Sequence, residues 1–294
     1  MLSYTTGFNN YQQTTYNKQQ LITTFNEQPI SSATSLRESL QNDVKHFIDK
    51  KIAVLFSGGI DSEVVITTCL DIKANFYPVF MLYTYKKMPV NTHELYHATT
   101  YCREHCLELK IIELDLEWFF EQDHYLSYAQ KYLCNIAIIT PYLWAIDQID
   151  DCLILGGDAP HITKLNPITF FPPLLGQTSV ERMFNANNRT GIPNFLTHSL
   201  SSMCFGLQLW QQALLGVTCS VPFPRWAYAI TKHKMYTTGG FDTLQIKPKY
   251  SSAFALLADL NMRQYDSKLT SIMPHCYSNI IPCESMIRCI NQAQ

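Results

Sequence analysis

Apolar residues first recur at helical spacing at Leu36, Leu40, Val44, Phe47 and Ile48, which predicts an amphipathic helix. Ser35-Leu36-Arg37-Glu38 sets a capping box at its start, each outer side chain able to satisfy the other residue's backbone donor. The pattern changes at Lys51. Ile52-Ala53-Val54-Leu55-Phe56 is a short continuous apolar run, the mark of a strand buried on both faces. A helix is predicted from about residue 61 to 70, then a strand over Phe76–Tyr83 with Pro78 near its start. A helix around 92–109, a strand at Lys110–Leu114, a long helix around 128–148 and a strand at Cys152–Gly157 follow.

Strands alternating with helices predict an α/β fold, a Rossmann-like parallel sheet covered by helices on both faces. The alternation stops near residue 160, where proline-punctuated loops and helices take over. Three parts are therefore expected: an N-terminal segment 1–34, a core 35–160 and a helical or irregular C-terminal extension 161–294. The first is rich in Thr, Gln, Asn and Tyr, and reads as an irregular arm or short hairpin. It would serve contacts in a homo-oligomer, or be a poorly ordered terminus.

Of 294 residues, 47% are hydrophobic and 16% charged, enough apolar content for a sizeable core. The formal net charge of -2 argues against nucleic acid as a partner, although a local basic patch is compatible with it. Cys69, Cys102, Cys134 and Cys152 fall inside apolar periodic segments, and no Cys-x-x-Cys pair occurs, so a reducing cytoplasm is expected. No signal sequence is visible, and the uncharged apolar stretch Tyr132 to Ile146, interrupted by Asn135 and Pro141, is too short to span a bilayer.

The chemistry concentrates at Ser57-Gly58-Gly59-Ile60-Asp61-Ser62, between the first core strand and its helix. In a parallel sheet that is where ligands bind. Two glycines permit close backbone approach, and a helix start offers amides and a positive dipole end to phosphate. Ser57 and Ser62 can donate further hydrogen bonds, whereas Asp61 suits phosphate only through a Mg²⁺ ion. The Walker and dinucleotide glycine patterns are both absent.

The hexapeptide resembles the Ser-Gly-Gly-x-Asp-Ser signature of the PP-loop ATP pyrophosphatases, over about residues 50 to 160. The resemblance implies an adenine nucleotide alpha-hydrolase-like fold and cleavage of ATP between its alpha and beta phosphates. It also implies that Ser57, Gly58, Gly59, Asp61 and Ser62 grip Mg-pyrophosphate, while Leu55, Phe56 and the second-strand end from Met81 through Leu82 to Tyr83 flank the adenine. Leu155-Gly156-Gly157-Asp158-Ala159 resembles a later Gly-x-Gly-x-Asp-Glu segment of asparagine synthetases. That likeness makes Gly156 and Gly157 nucleotide-side residues and Asp158 a second Mg²⁺ ligand, with Ala159 replacing the second acid; His161 lies nearby.

Two features compete. His93-Glu94-Leu95-Tyr96-His97 matches a zinc-protease pattern, but Thr100 and Arg103 break its extension. Taking Leu95, Ala98, Thr99, Cys102, Cys106 and Leu109 as the buried face turns both histidines outward, away from the strand ends. Cys204, Cys219, Cys276, Cys283 and Cys289 could serve a thiolating relative, yet none is distinguished by its neighbours. Lys232, Lys234, Lys247 and Lys249 could neutralise phosphate charge, and Lys249 is the choice because Pro248 stiffens its approach.

The expected activity is adenylation of a small-molecule acceptor by ATP, followed by amidation with a small amine or ammonia, similar to the synthetase domain of asparagine synthetase. Leu2 stands where glutamine-using members carry a catalytic cysteine. The alternatives are a PP-loop enzyme modifying a nucleotide, base or tRNA, and a nucleotide-binding regulator without turnover.

Overall fold

A computed structural model describes residues 2–6, 12–17, 20–25, 33–149, 152–157, 163–165, 168–171, 175–187, 190–192, 194–214, 225–247, 253–272, 277–278 and 281–282. Strands β1 (Leu2–Thr6), β2 (Gln12–Asn17) and β3 (Gln20–Phe25) form an antiparallel meander. Helix α1 (Leu36–Lys45) follows. Ser35 Oγ accepts from the Glu38 amide at 3.2 Å as the capping pattern predicts. The return bond is displaced by one residue: Glu38 Oε2 accepts from the Thr34 amide and hydroxyl, each at 2.8 Å.

The core alternates as expected: β4 (Ile52–Leu55), α2 (Ile60–Asp71), β5 (Phe76–Tyr85), β6 (Met88–Pro89), α3 (Thr92–Glu104) and β7 (Lys110–Asp115). The long helix predicted around 128–148 is instead broken. After helix α4 (Leu116–Glu121), helices α5 (His124–Tyr132) and α6 (Thr140–Asp147) divide the region between them. Leu133 ends α5 in the left-handed region at φ 51°, and Pro141 opens α6 where its missing N–H is harmless. Strand β8 (Leu153–Leu155) closes this alternation.

Strands β11 (Gly191–Ile192), β8, β4, β5 and β7 pair in that order, all parallel, and β6 adds antiparallel to β5. Short pairs β9 (Thr163–Leu165) and β10 (Ile168–Phe171), with β12 (Tyr277–Ser278) and β13 (Ile281–Pro282), lie outside this sheet. Pro78 is tolerated inside β5 for a geometric reason. The Ile52 and Phe56 amides bond to the carbonyls of Asn75 and Val79, so residues 75, 77 and 79 face β4. Pro78 faces the other side, where β7 starts only at the Val79 pairing, and its absent donor breaks no ladder bond.

The strand period of 2 divides the core between two faces. Ile52, Val54, Phe56, Leu153 and Leu155 pack against α1, α2, α3, α8 (Leu200–Leu214) and α9 (Arg225–Thr238). Ala53, Val79, Ile112 and Ile154 pack the other way, onto α6 and α7 (Leu175–Ala186). Helices α10 (Ala253–Asp259) and α11 (Asp266–Ile272) pack beside α4 and α5. Each fully buried aliphatic chain contributes about 1.5–3 kcal/mol, so the two faces anchor β4 and hold its carboxyl end in place. Among the described residues no helix is long and apolar enough to cross a membrane.

Candidate functional site

Strand β4 ends in the Gly-Gly turn. Gly58 adopts φ +67°, and a Cβ there would lie 2.6 Å from the Glu94 carbonyl oxygen and 3.1 Å from the Ala98 amide of α3. Glycine is needed both for the left-handed backbone and for this close approach. Gly59 is the extended N-cap of α2, and no side chain caps that end. The first amides of α2 thus point out of a turn made for close contact, the arrangement that holds an anion.

Ser62 ties the loop together rather than facing a ligand. Its Oγ accepts from the Ser57 amide at 3.3 Å and donates to the Gly59 carbonyl at 3.0 Å, and the residue is 1% exposed. Ser57, by contrast, is exposed. The second glycine pair closes on the same helix start: a Cβ on Gly157 would meet the Asp61 carbonyl oxygen and Val65 Cγ2, both at 3.0 Å. Gly156 is held by its amide to the Ile192 carbonyl (2.9 Å) and by the Phe195 amide to its own carbonyl (2.8 Å). Leu55 and Leu82 are half-buried beside the loop strands. Phe56 is in the core, 1% exposed with its ring edge-on to Tyr101, and offers a ligand only its backbone.

Asp61 carries the electrostatics of the site. Lys232 Nζ donates to its Oδ2 at 2.5 Å and the Tyr236 hydroxyl to its Oδ1 at 2.6 Å. Both donors come from α9, four residues apart on one face, so the C-terminal part of the chain reaches the loop. Lys232 was one of four candidate lysines and was not the one preferred. Lys249, together with Asp158, Ala159 and His161, lies outside the described residues. Lys234 is exposed on α9. Lys247 instead pairs with Glu63, the other acid of the first α2 turn, and sits 5.1 Å from the Tyr101 ring centre. Burial pushes the Glu63 carboxyl above its ordinary pKa, and the lysine opposes that shift. Both acids at the helix start are therefore neutralised from the C-terminal side.

The expectation for α3 needs correction. The buried residues are Glu94, Ala98, Tyr101 and Cys102, not the face centred on Leu95 and Thr99. Burial of a carboxylate and a tyrosine, both polar by composition, rotated the inferred face. His93 and His97 consequently flank the buried face, half-buried, with His97 Cβ 3.3 Å from where a Cβ on Gly58 would be. Among the described residues no three His, Cys, Asp or Glu side chains converge as a metal site.

Cys204 is buried, and Cys219, Cys276, Cys283 and Cys289 lie outside the described residues. Burial pushes the Cys69 thiol up to about 12 and the Cys102 thiol up to about 11, so neither supplies a thiolate at neutral pH.

No family model matches the chain, and no curated protein matches it. Solved structures overlap it loosely. One is a predicted subunit of a tRNA methyltransferase from Methanocaldococcus jannaschii, at 16% identity and TM-score 0.34, covering 52% of this chain and 72% of that one. Another is an NH3-dependent NAD synthetase from Campylobacter jejuni, at 16% identity and TM-score 0.30, covering 82% and 95%. A third is an NMN synthetase from Francisella tularensis, at 13% identity and TM-score 0.31, covering 80% and 92%. At these values the site is defined by the residues of this chain.

Proposed function

We propose that this chain is an AMP-forming ligase of the PP-loop type, which adenylates a small-molecule acceptor and then joins it to an amine or ammonia. The observation that carries the reading is the constellation at the β4 carboxyl end. A left-handed glycine, an uncapped helix start and an acid–lysine–tyrosine cluster meet at one turn.

The residues have separable tasks. The first amides of α2 and the Ser57 hydroxyl bind the outer phosphates of ATP. Ser62 and Gly58 hold the turn in shape for them. A Mg²⁺ ion needs only one or two protein carboxylates beside phosphate oxygens, and Asp61 would provide one. When bound it neutralises phosphate charge; Asp158 is the proposed second ligand. Lys232 leaves Asp61 for the phosphates as they arrive, and stabilises the negative charge that grows on the departing pyrophosphate. Attack by an acceptor oxygen on the alpha phosphorus breaks the bond to the beta-phosphate bridging oxygen. The nitrogen nucleophile then displaces AMP.

Incubation with MgATP, ammonium and a panel of carboxylate acceptors, with the nucleotides separated afterwards, tests the reading. AMP and pyrophosphate are expected; ADP and orthophosphate would overturn it.

A further inference from the structure

We propose that His93 and His97 form a chelating site for a first-row divalent ion such as Zn²⁺ at the rim of the phosphate turn. The two imidazoles occupy successive turns of α3, and their Nε2 atoms lie 3.2 Å apart. Their ring centroids are 4.6 Å apart and the planes nearly perpendicular, at 89°. With zinc–nitrogen bonds of about 2.0–2.1 Å, a bite angle between square and tetrahedral separates two nitrogens by about 2.8–3.4 Å. The observed spacing falls inside that range, so the two nitrogens already stand at chelating distance.

The alternative filling of this gap is a proton shared between the two nitrogens. Both lone pairs cannot point at one another without a proton or a metal between them, and both rings cannot carry a proton each without like-charge repulsion. A divalent ion takes both lone pairs at once, and the ring that had donated through Nε2 then carries its proton on Nδ1. The surroundings add to the case. Tyr96 packs edge-on against His97 at 5.6 Å, restricting its rotation, and the backbone under His97 is locked against Gly58. A chelate held this way fills two positions of the ion, and its other positions take further donors. On the function proposed above, on which this last step rests, one of them takes an oxygen of the bound phosphates. The spacing itself is independent of that function.

The test uses the untagged full chain and Zn²⁺ alone, with no nucleotide, by isothermal titration and by the shift of the melting temperature. One ion per chain is expected. His93→Gln and His97→Gln should each weaken binding at least tenfold, and the double variant should abolish the thermal shift. Circular dichroism of each variant checks that the fold is intact, and His124→Gln, whose ring stacks on Trp118 far along the chain, controls for surface histidine. Equal affinity in the wild type and the double variant means an adventitious ion only, and overturns the proposal. Because nucleotide is absent, loss of zinc binding leaves the pyrophosphate reading untouched, and failure of ATP cleavage leaves the zinc result standing.

Discussion

Replacing Lys232 by Met removes the charge beside Asp61 while keeping most of the side-chain volume. The ion pair is well shielded, with side-chain exposures of 8% and 18%, so it is not a surface bridge of negligible worth. At the observed 2.5 Å and an effective dielectric of about 20, the gross attraction is about 7 kcal/mol, most of it offset by desolvation. Leaving the Asp61 carboxylate buried without its cation should therefore destabilise the fold by about 3 kcal/mol. Asp61→Asn strands the ammonium instead and should cost a similar amount. The double variant has neither charge, so its loss should fall short of the sum by about 2 kcal/mol. Urea unfolding followed by tryptophan fluorescence at pH 7 measures all three. A coupling below about 0.5 kcal/mol, the value for an exposed pair, would refute the placement of α9 against the loop. In turnover, Lys232→Met should lower kcat more than it weakens ATP binding, because its charge matters most as pyrophosphate leaves.

Two further outcomes follow from the geometry. Gly58→Ala forces a β-carbon to within 2.6 Å of a backbone oxygen at φ +67°; the backbone term alone is about 1–2 kcal/mol, and a melting temperature lower by about 5 °C or more is expected. An unchanged melting temperature would contradict the close approach to α3. Asp43 is buried against Ser199 and Ser202, at 2.8 and 2.6 Å, and burial pushes its carboxyl up to about 6 despite those bonds. A folded-state value above the ordinary 3.8 means that ionisation opposes folding: the contribution is most favourable below about 4 and is lost as pH rises through about 6. The neighbouring His198, held near 3 by burial, acts in the opposite sense, favouring the fold above its ordinary 6.5 and losing that contribution in acid. The stability of Asp43→Asn relative to wild type should thus fall as pH is lowered from about 6 to about 4. A pH-independent difference between the two would show that Asp43 is not buried as described.

The parallel core was legible because its signals are local. Ile52 to Phe56 is a short apolar run of strand length that puts side chains on both faces, and Gly58-Gly59 marks where that strand turns. The cation of the site was not legible. Lys232 meets Asp61 across 171 residues of chain, and no local pattern distinguishes it from Lys234 two positions on, which is exposed. The face of α3 was misread because Glu94 and Tyr101 are buried by tertiary contacts that their polarity conceals. The break after α5 has one local sign, Pro141, which starts a helix rather than continuing one, whereas the left-handed Leu133 has none.

The bond of ATP that is broken bears most directly on the proposed activity. ATP labelled at the alpha or the gamma phosphate, incubated with Mg²⁺, acceptor and ammonium, separates the possibilities by where each label ends. The alpha label is expected in AMP and the gamma label in pyrophosphate, with both lost in Asp61→Asn. A gamma label recovered as orthophosphate alongside ADP would contradict it.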